Sequence, residues 1–391
     1  MIVGPRQSGK TSLVWSILKD RPPQSVLFLN GEERVVRMWA NSAGLMAANI
    51  REAFPEVTTL FFDEAQHIED AGLLIKGLID SGHGFDVWVT GSSAFHLMDK
   101  TRESMAGRAS QHQLLPFSLE ELLAAEKTRT PVALDSAAIK HVRRMMVRGS
   151  YPQVWEGNDH WVTLKSLINA FVTRDASDMF RIRNPEAFRK LMQLAAGQIG
   201  QMANQSEWAA HVGVSSSTVG QYLGMLEDAW IIRQVPAFAG GARREVTSAV
   251  RVHFYDMGLR NALTGSRSED LDRRLDRGAL AEGFAFSEIA KTLDPLWSLH
   301  YWRAKGGAEV DFVLINGLRK IGIEIKSGPR IKISRSARSF IQAYHPELFL
   351  VVSLDTDQAG TQLLEQTPIK FIPLSHLAKE VREVMDADIS V

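Results

Sequence analysis

The stretch "GPRQSGKTS", residues 4–12, decides the fold of the N-terminal part of this 391-residue chain. Gly4, Gly9, Lys10 and Thr11 hold the defining places of the pattern G-x-x-x-x-G-K-[ST]. Glycines let backbone N–H groups approach phosphate oxygens closely, and the helix that follows adds its positive N-terminal end. The pattern therefore predicts a phosphate-binding loop made by Gly4, Pro5, Arg6, Gln7, Ser8, Gly9, Lys10, Thr11 and Ser12.

Two side chains of this loop carry most of its predicted chemistry. Lys10 is expected to reach the β- and γ-phosphates of a nucleotide, and the Thr11 hydroxyl is expected to hold Mg²⁺. A chance glycine-rich loop is the alternative, but the strand–loop–helix setting of the pattern disfavours it. ATP and Mg²⁺ are therefore the predicted cofactors.

Short apolar runs follow the loop at intervals. They are "SVLFLN" (25–30), "TTLFFDE" (58–64) and "DVWVTGSS" (86–93). Such near-continuous runs are typical of parallel strands buried on both faces, and the segments between them are long enough for helices. The sequence predicts an α/β fold with a parallel sheet of the P-loop NTPase kind.

An acidic pair ends the second of these runs, in "LFFDEAQ" (60–66). Asp63 is expected to bind the hydration shell of Mg²⁺, and Glu64 is expected to orient and deprotonate the attacking water. Asp is also a normal helix N-cap, so Asp63 alone is ambiguous. The phosphate loop upstream favours the catalytic interpretation.

Two further polar positions are candidates for the same site. In "VTGSS" (89–93), Thr90, Ser92 or Ser93 is expected to touch the γ-phosphate or the water, and we assign Ser92; a plain Gly-Ser turn is the alternative. Arg108 is included among the catalytic residues as an arginine finger that acts across a subunit boundary. A surface arginine is the other interpretation, and the sequence does not separate the two.

Composition excludes several classes of protein. The chain has no cysteine, which excludes a disulfide scaffold, a thiolate zinc site and a cysteine nucleophile. Its formal net charge is zero, so any attraction to nucleic acid must come from local basic patches. We find no signal peptide and no apolar run of membrane-spanning length, so the sequence predicts a cytoplasmic protein without a membrane partner.

Together these motifs resemble those of AAA+-type prokaryotic ATPases that carry a C-terminal nuclease-like domain of unassigned function. The likeness continues through "RGSYPQVWE" (148–156), "HVGVSSSTVGQYLGMLED" (211–228), "VHFYDMGL" (252–259), "LAEGFAFSE" (280–288) and "GIEIKSG" (322–328). It implies a P-loop core, a helical lid, a winged-helix segment and a restriction-endonuclease-like α/β domain. We place these parts at residues 1–122, 123–200, 201–262 and 263–391.

The start of the chain departs from that family. Relatives have a helix and a longer strand before the phosphate loop, whereas only Met1–Val3 stand before it here. The resemblance therefore implies incomplete adenine contacts and weak nucleotide affinity for the sequence as it stands.

The middle of the chain has the pattern of a helix–turn–helix. Ser206 and Ser215 are the expected caps of its two helices, and Gly213 is the expected turn. The second helix carries no Lys or Arg between Ser215 and Asp228, which favours a structural or protein-contacting role over DNA contact through shape or backbone. Basic residues cluster elsewhere, at Arg143, Arg144 and Arg148, at Arg243 and Arg244, and at Arg330, Lys332, Arg335 and Arg338.

A second acidic constellation lies near the C-terminus. Residues two apart on a strand share a face, so Glu324 and Lys326 project together, and a neighbouring strand can bring Asp311 alongside. Two carboxylates can bind Mg²⁺ while a lysine orients water. By family position we prefer Glu282 to Glu288 as the acid of the preceding helix. The predicted metal ligands are Glu282, Asp311 and Glu324, and whether this centre cleaves nucleic acid is left open.

The motifs and the resemblance together predict a Mg²⁺-dependent ATPase that acts as a homo-oligomer, in a ring or another arrangement, on DNA. Branched DNA is the expected substrate, because a nuclease-like fold beside a motor suits processing or branch migration. The alternative is a nucleotide-controlled switch whose inactive nuclease-like domain contacts protein partners.

Overall fold

The computed structural model describes residues 1–92, 109–128, 130–173, 182, 184–238, 249–328, 332–356 and 359–386. By the density of internal contacts the chain divides into two compact units. The first contains Met1–Pro116 together with 228–230, and the second contains 117–227 and 231–391.

The first unit is built on a parallel sheet of five strands. The strands are β1 (Ile2–Val3), β2 (Val26–Asn30), β3 (Thr59–Asp63), β4 (Asp86–Gly91) and β5 (His112–Gln113). They lie in the order β2-β3-β4-β1-β5, and every neighbouring pair is parallel. The helices are α1 (Lys10–Leu18), α2 (Arg34–Trp39), α3 (Ala43–Ala53) and α4 (Ala71–Asp80). The predicted α/β fold with a parallel sheet is confirmed.

Burial differs along this sheet. All five residues of β3 are buried, as expected for a central strand. At the edge of the sheet, β2 leaves Phe28 40% exposed, so its apolar run is not covered on both faces. The main apolar cluster packs α3 and α4 against β3, where Met46, Ile50 and Leu78 are fully buried. The strand ends that carry the polar motifs are therefore fixed by a packed core.

The second unit begins with helices. They are α5 (Leu119–Ala124), α6 (Pro131–Arg148), α7 (Pro152–Glu156), α8 (His160–Ala170), α9 (Pro185–Gly197), α10 (Gln205–Val212) and α11 (Ser216–Asp228). Strands β6 (Ile232–Val235) and β8 (Arg251–Phe254) form an antiparallel pair after α11. A further short strand, β7 (Ala237–Phe238), lies between them in sequence.

A mixed sheet of seven strands follows. One of its strands is β7. The remaining six are β9 (Ser298–Arg303), β10 (Glu309–Asn316), β11 (Arg319–Lys326), β12 (Leu348–Ser353), β13 (Gly360–Leu364) and β14 (Thr367–Pro373). The strands lie in the order β13-β14-β12-β11-β10-β9-β7. The accompanying helices are α12 (Met257–Thr264), α13 (Arg277–Thr292), α14 (Arg335–Tyr344) and α15 (Leu377–Asp386). No helix among the described residues is long and apolar enough to cross a membrane.

Candidate functional site

The phosphate loop lies between β1 and α1 and is shaped by its glycines. A Cβ added to Gly4 would lie 2.0 Å from the Leu114 carbonyl oxygen, and Gly9 caps α1 with a left-handed φ of 96°. The buried Lys10 ammonium donates hydrogen bonds to the carbonyl oxygens of Gly4, at 3.1 Å, and Pro5, at 2.8 Å. The loop therefore closes around its own lysine.

One atom of the loop fits a phosphate ligand directly. The Ser8 hydroxyl oxygen is buried and has no hydrogen-bond partner among the residues that the structure describes. A buried hydroxyl without a partner costs free energy, and a phosphate oxygen beside it would satisfy it. Elsewhere in the loop, Pro5 is buried, Gln7 and Ser12 are exposed, and the Arg6 guanidinium lies 3.6 Å from the Glu32 carboxylate.

The predicted metal ligands of the first unit lie together. Thr11 Oγ1 donates a hydrogen bond of 2.8 Å to Asp63 Oδ1, which joins the start of α1 to the end of β3. The Thr90 hydroxyl at the end of β4 donates to the same oxygen. Hydroxyl and carboxylate oxygens are the protein ligands that Mg²⁺ takes beside nucleotide phosphates. The residues present therefore fit a Mg²⁺ nucleotide, and the roles of Thr11 and Asp63 stay predictions.

Glu64 is held in an uncommon backbone conformation. Its φ is 49° and its ψ is 46°, in the left-handed region that side chains other than glycine rarely occupy. The Glu64 N–H donates to Thr90 Oγ1 at 3.1 Å, and the neighbouring Gly31 N–H donates to the Asp63 carbonyl oxygen at 2.8 Å. Strain of this kind concentrates at functional positions, which supports the prediction for Glu64.

Gln66 is a member of this site that the sequence analysis did not single out. Its side-chain N–H₂ donates to Ser92 Oγ at 2.9 Å and also to the Glu64 carboxylate, while its amide oxygen accepts from the Ser92 N–H at 3.3 Å. Ser92 is therefore connected to the Glu64 carboxylate through Gln66. The signal was present in "DEAQ", where an amide follows the acidic pair by two residues. Ser93 and Arg108 lie outside the described residues.

The acidic constellation of the second unit forms on adjacent strands. Strands β10 and β11 are antiparallel, with Phe312 opposite Ile323, so Asp311 and Glu324 occupy neighbouring positions. Lys326 Nζ lies 2.5 Å from Glu324 Oε1, and the Ile325 N–H donates to Asp311 Oδ2 at 2.7 Å. The predicted pairing of Glu324 with Lys326 on one face is confirmed by this contact.

Of the two candidate acids on α13, Glu282 is the one near this cluster. Burial, followed by the charge of Asp311, raises the pKa of Glu282 to about 8. Burial also raises the pKa of Asp311 to about 6. Glu288 instead accepts from the Leu119 N–H at 2.9 Å and pairs with Lys291 Nζ at 2.9 Å.

These carboxylates do not form a ready metal site. Across the described ranges, no group of three His, Asp or Glu side chains is arranged so that it could hold a metal ion. The Glu282 carboxylate lies 3.6 Å from Arg251 Nη1 and 3.8 Å from His253 Nε2. Burial lowers the pKa of His253 to about 3, so this histidine is neutral at ordinary pH. As placed, Glu282, Asp311 and Glu324 therefore do not fit a divalent cation.

The helix–turn–helix pair is α10 and α11, joined through Gly213, whose φ is 74°. The Ser215 hydroxyl accepts from the Thr218 N–H at 3.1 Å, as expected of a cap. The first helix starts two residues earlier than predicted, because Asn204 accepts from the Glu207 N–H at 3.3 Å, so Ser206 is not its cap. The winged-helix assignment itself stays a prediction.

Part of the basic surface is already engaged. Arg143 makes a forked contact with the Asp272 carboxylate at 3.1–3.2 Å, Arg148 pairs with Glu269, and Arg144 stacks over the Trp155 ring at 3.9 Å. Arg243, Arg244 and Arg330 lie outside the described residues. Arg335 and Arg338 are exposed at the start of α14, and Lys332, which precedes this helix, is also exposed.

Three family models match successive parts of this chain, and two known sequences match most of it. The family model for the AAA domain matches residues 1–123, and two domains of unknown function, DUF8612 and DUF4143, match residues 139–270 and 277–376. An uncharacterized protein of Mycobacterium tuberculosis is 28% identical over 348 residues, which are 87% of this chain and 72% of the relative. An uncharacterized protein of Methanocaldococcus jannaschii is 24% identical over 329 residues, covering 80% and 71%.

Two solved structures show only a weak overall likeness. The ORC1 protein of Aeropyrum pernix in complex with DNA has a TM-score of 0.30 at 12% identity, covering 68% of this chain and 86% of that one. RuvB of Thermotoga maritima has a TM-score of 0.31 at 17% identity, covering 60% and 81%. Nothing about this chain follows from scores this low. The N-terminal part is the one for which family and fold agree: residues 1–123 match the family model of the AAA domain, and they form a parallel sheet with a phosphate-binding loop of the P-loop kind.

Proposed function

We propose that this protein is a Mg²⁺-dependent ATPase that works as an oligomer on DNA. The observation that carries the ATPase half is the 2.8 Å hydrogen bond between Thr11 Oγ1 and Asp63 Oδ1. It joins the phosphate loop to the acidic end of β3, where Glu64 follows. An ordinary glycine turn with an unrelated acidic cap has no reason to bring these oxygens together.

Each residue then has one task. Bound Mg²⁺ and ATP supply an electrophilic γ-phosphorus and a cation that neutralises phosphate charge. Lys10 exchanges its two carbonyl partners for phosphate oxygens, and Thr11 and Asp63 hold the metal. Glu64 accepts the proton of the attacking water. Gln66 holds the Glu64 carboxylate in place, and Ser92 holds Gln66.

The test is hydrolysis of ATP by the purified full chain with Mg²⁺, compared with Lys10→Ala. We expect the substitution to abolish hydrolysis, because Lys10 is the buried cation of the loop, whereas the Arg6 guanidinium lies against the Glu32 carboxylate. Lys19→Ala is the matched control, since Lys19 is exposed at the end of the same helix α1. Equal hydrolysis by the parent and by Lys10→Ala would refute the proposal.

The DNA half is supported by the exposed basic residues of α14. Arg335 and Arg338 lie one turn apart on its outer face, while Ala337, Phe340 and Ile341 are buried on the other. A pair of arginines at this spacing suits successive phosphates of a duplex backbone. Branched DNA as the substrate, a ring as the assembly and Arg108 as a finger between subunits belong to this proposal.

A nucleotide-controlled switch with protein partners is the second candidate. It is favoured by the absence of Lys and Arg from α11 and by the intramolecular pairing of Arg143 and Arg148. The two functions separate in one assay: ATP hydrolysis at low and moderate salt, with and without branched duplex. Stimulation that disappears with added salt supports the DNA motor, whereas a rate blind to DNA supports the switch. Electron microscopy with a nucleotide analogue tests the ring.

A further inference from the structure

A buried arginine lies in the middle of the acidic cluster of the second unit. Arg251, the first residue of β8, is 4% exposed. Its Nη2 lies 2.7 Å from Glu309 Oε2, and its Nη1 lies 3.6 Å from Glu282 Oε1. The guanidinium also covers the Tyr301 ring at 4.5 Å from the ring centre. The sequence analysis did not identify Arg251 as part of this centre.

The position of Arg251 is fixed by its surroundings. Its backbone pairs with Val235 of β6, and the Tyr301 hydroxyl beneath it donates to the Ala249 carbonyl oxygen at 2.7 Å. Two residues along β8, His253 is fully buried and stacks on Phe286 with ring centres 5.0 Å apart. A guanidinium in such a packed setting cannot move into water without dismantling its support, and its burial requires carboxylate partners.

The remaining carboxylates also have partners within the chain. Asp311 accepts from the Ile325 N–H, and Glu324 is bound by Lys326 and by the Ser334 hydroxyl, which donates at 2.9 Å. Arg303 approaches Glu309 at 3.9 Å from the solvent side. Three basic side chains therefore face four acidic side chains, and these groups are Arg251, Arg303, Lys326, Glu282, Glu309, Asp311 and Glu324.

We propose that Arg251 is the resident cation of this cluster, in place of a divalent metal ion, and that the second unit is a domain that does not cleave nucleic acid. The guanidinium charge lies 3.6 Å from the Glu282 oxygen that a metal would need, and it repels a second cation brought to the same oxygen. This inference is independent of ATP hydrolysis in the first unit. It replaces the predicted metal site at Glu282, Asp311 and Glu324 by an internal ion-pair centre.

The test is binding of Mn²⁺, followed through the electron paramagnetic resonance signal of the free ion. The nucleotide-free full chain carries Asp63→Asn throughout, which removes a ligand of the phosphate-loop metal site. We expect no saturable Mn²⁺ site in this parent. Adding Arg251→Gln leaves the carboxylates without their cation, and we expect Mn²⁺ to bind at least about 10-fold more tightly than to the parent. Adding Asp311→Asn as well should abolish that gain.

Arg303→Gln is the matched control, because it removes an exposed cation from the same Glu309 without touching Glu282. It should leave Mn²⁺ binding as in the parent. Saturable Mn²⁺ binding by the parent that Asp311→Asn removes would overturn the proposal. Should Arg251→Gln not fold, the otherwise unsubstituted chain still decides the matter: DNA cleavage with Mg²⁺ or Mn²⁺ that is lost in Asp311→Asn overturns it, and identical, cleavage-free traces support it.

Discussion

At the scale of single residues, the proposed catalysis depends on how the Glu64 carboxylate is held. Glu64→Gln keeps the size and the left-handed backbone but removes the proton acceptor, so we expect kcat for ATP to fall by about 10²–10⁴-fold. ATP binding should be unchanged, because Lys10 and the loop are intact. Steady-state hydrolysis and the affinity for a fluorescent ATP analogue separate these effects. Glu69→Gln, an exposed acid in the same connection, is the control. A matching loss of affinity would contradict this assignment of Glu64.

Among single residues, sequence reasoning identified some members of the two clusters and missed others. Lys10 and Thr11 are predicted from one short pattern, and Asp63 and Glu64 from another further along the chain. Gln66 was missed although its position after the acidic pair marks it, and Arg251 could not be predicted, because its role depends on partners that distant strands bring near. The sequence around Arg251 does not indicate that this arginine is buried. Its burial depends on Glu282 and Glu309, which the fold brings beside it.

Glu282 gives the second unit a pH dependence. Its pKa is about 8 in the folded chain against 4.5 for an ordinary glutamate, because burial and the charge of Asp311 disfavour the ionised form. Between these values the folded state keeps a proton that the unfolded chain releases, so stability falls as pH rises from about 4.5 to 8. Glu282→Gln removes the titrating group.

We therefore expect the Tm of Glu282→Gln, relative to the parent, to rise steadily between pH 5 and pH 8.5. Differential scanning calorimetry in metal-free buffer measures it. Glu52→Gln, an exposed acid on α3, should follow the parent at every pH. A difference in Tm between Glu282→Gln and the parent that does not change with pH would show that Glu282 is already ionised throughout.

At the scale of elements, α13 anchors the start of α5 through a buried ion pair. Glu288 accepts from the Leu119 N–H at 2.9 Å, and Lys291 Nζ donates to the Phe117 carbonyl oxygen at 2.9 Å and lies 3.4 Å from Ser150 Oγ. Each of these groups satisfies a backbone atom near a helix end that would otherwise be buried without a partner. Glu288 therefore has a structural role, which agrees with the preference for Glu282 as the acid of the second acidic cluster.

Removing one partner of this pair should loosen the segment. We expect Glu288→Ala to lower the opening free energy of residues 117–124 by about 3–5 kcal/mol, because Lys291 is left buried and unpaired. Hydrogen exchange followed by mass spectrometry reads this out as faster exchange of the peptide that contains the Leu119 amide. Glu383→Gln, in the exposed pair with Lys379 on α15, should leave the same peptide unchanged. Equal protection in both variants would mean that Glu288 does not hold α5.

For single elements, the sequence pattern does not predict where a strand or a loop packs. The run "VLFLN" was expected to be buried on both faces, yet β2 is an edge strand with Phe28 exposed, because apolar content does not encode a strand's place in its sheet. The loop "RGSYP" (148–152) is closely packed through contacts with residues that are distant in the sequence. Ser150 donates its N–H to Asp256 at 2.7 Å, and a Cβ on Gly258 would lie 2.0 Å from the Arg148 carbonyl oxygen.

At the scale of the whole molecule, the formal net charge is zero, so the proposed DNA binding must depend on a few side chains. A duplex held through phosphates releases counterions, so the logarithm of affinity falls with the logarithm of salt concentration by about 0.9 per contact. Arg335 and Arg338 are exposed and belong to no ion pair among the described residues, unlike Arg143 and Arg148. They are the side chains from which we expect such contacts.

Replacing both arginines by alanine should therefore reduce the salt slope of duplex binding by about 2, with no change in basal ATP hydrolysis. Fluorescence anisotropy of a labelled branched duplex across a salt series measures the slope. Lys140→Ala with Lys379→Ala removes the same formal charge from exposed positions outside α14 and should keep the parent slope. If the α14 variant and this control lose affinity equally, the attraction is diffuse rather than local. A parent that does not bind duplex at low salt would instead leave the nucleotide-controlled switch as the function that the AAA domain serves.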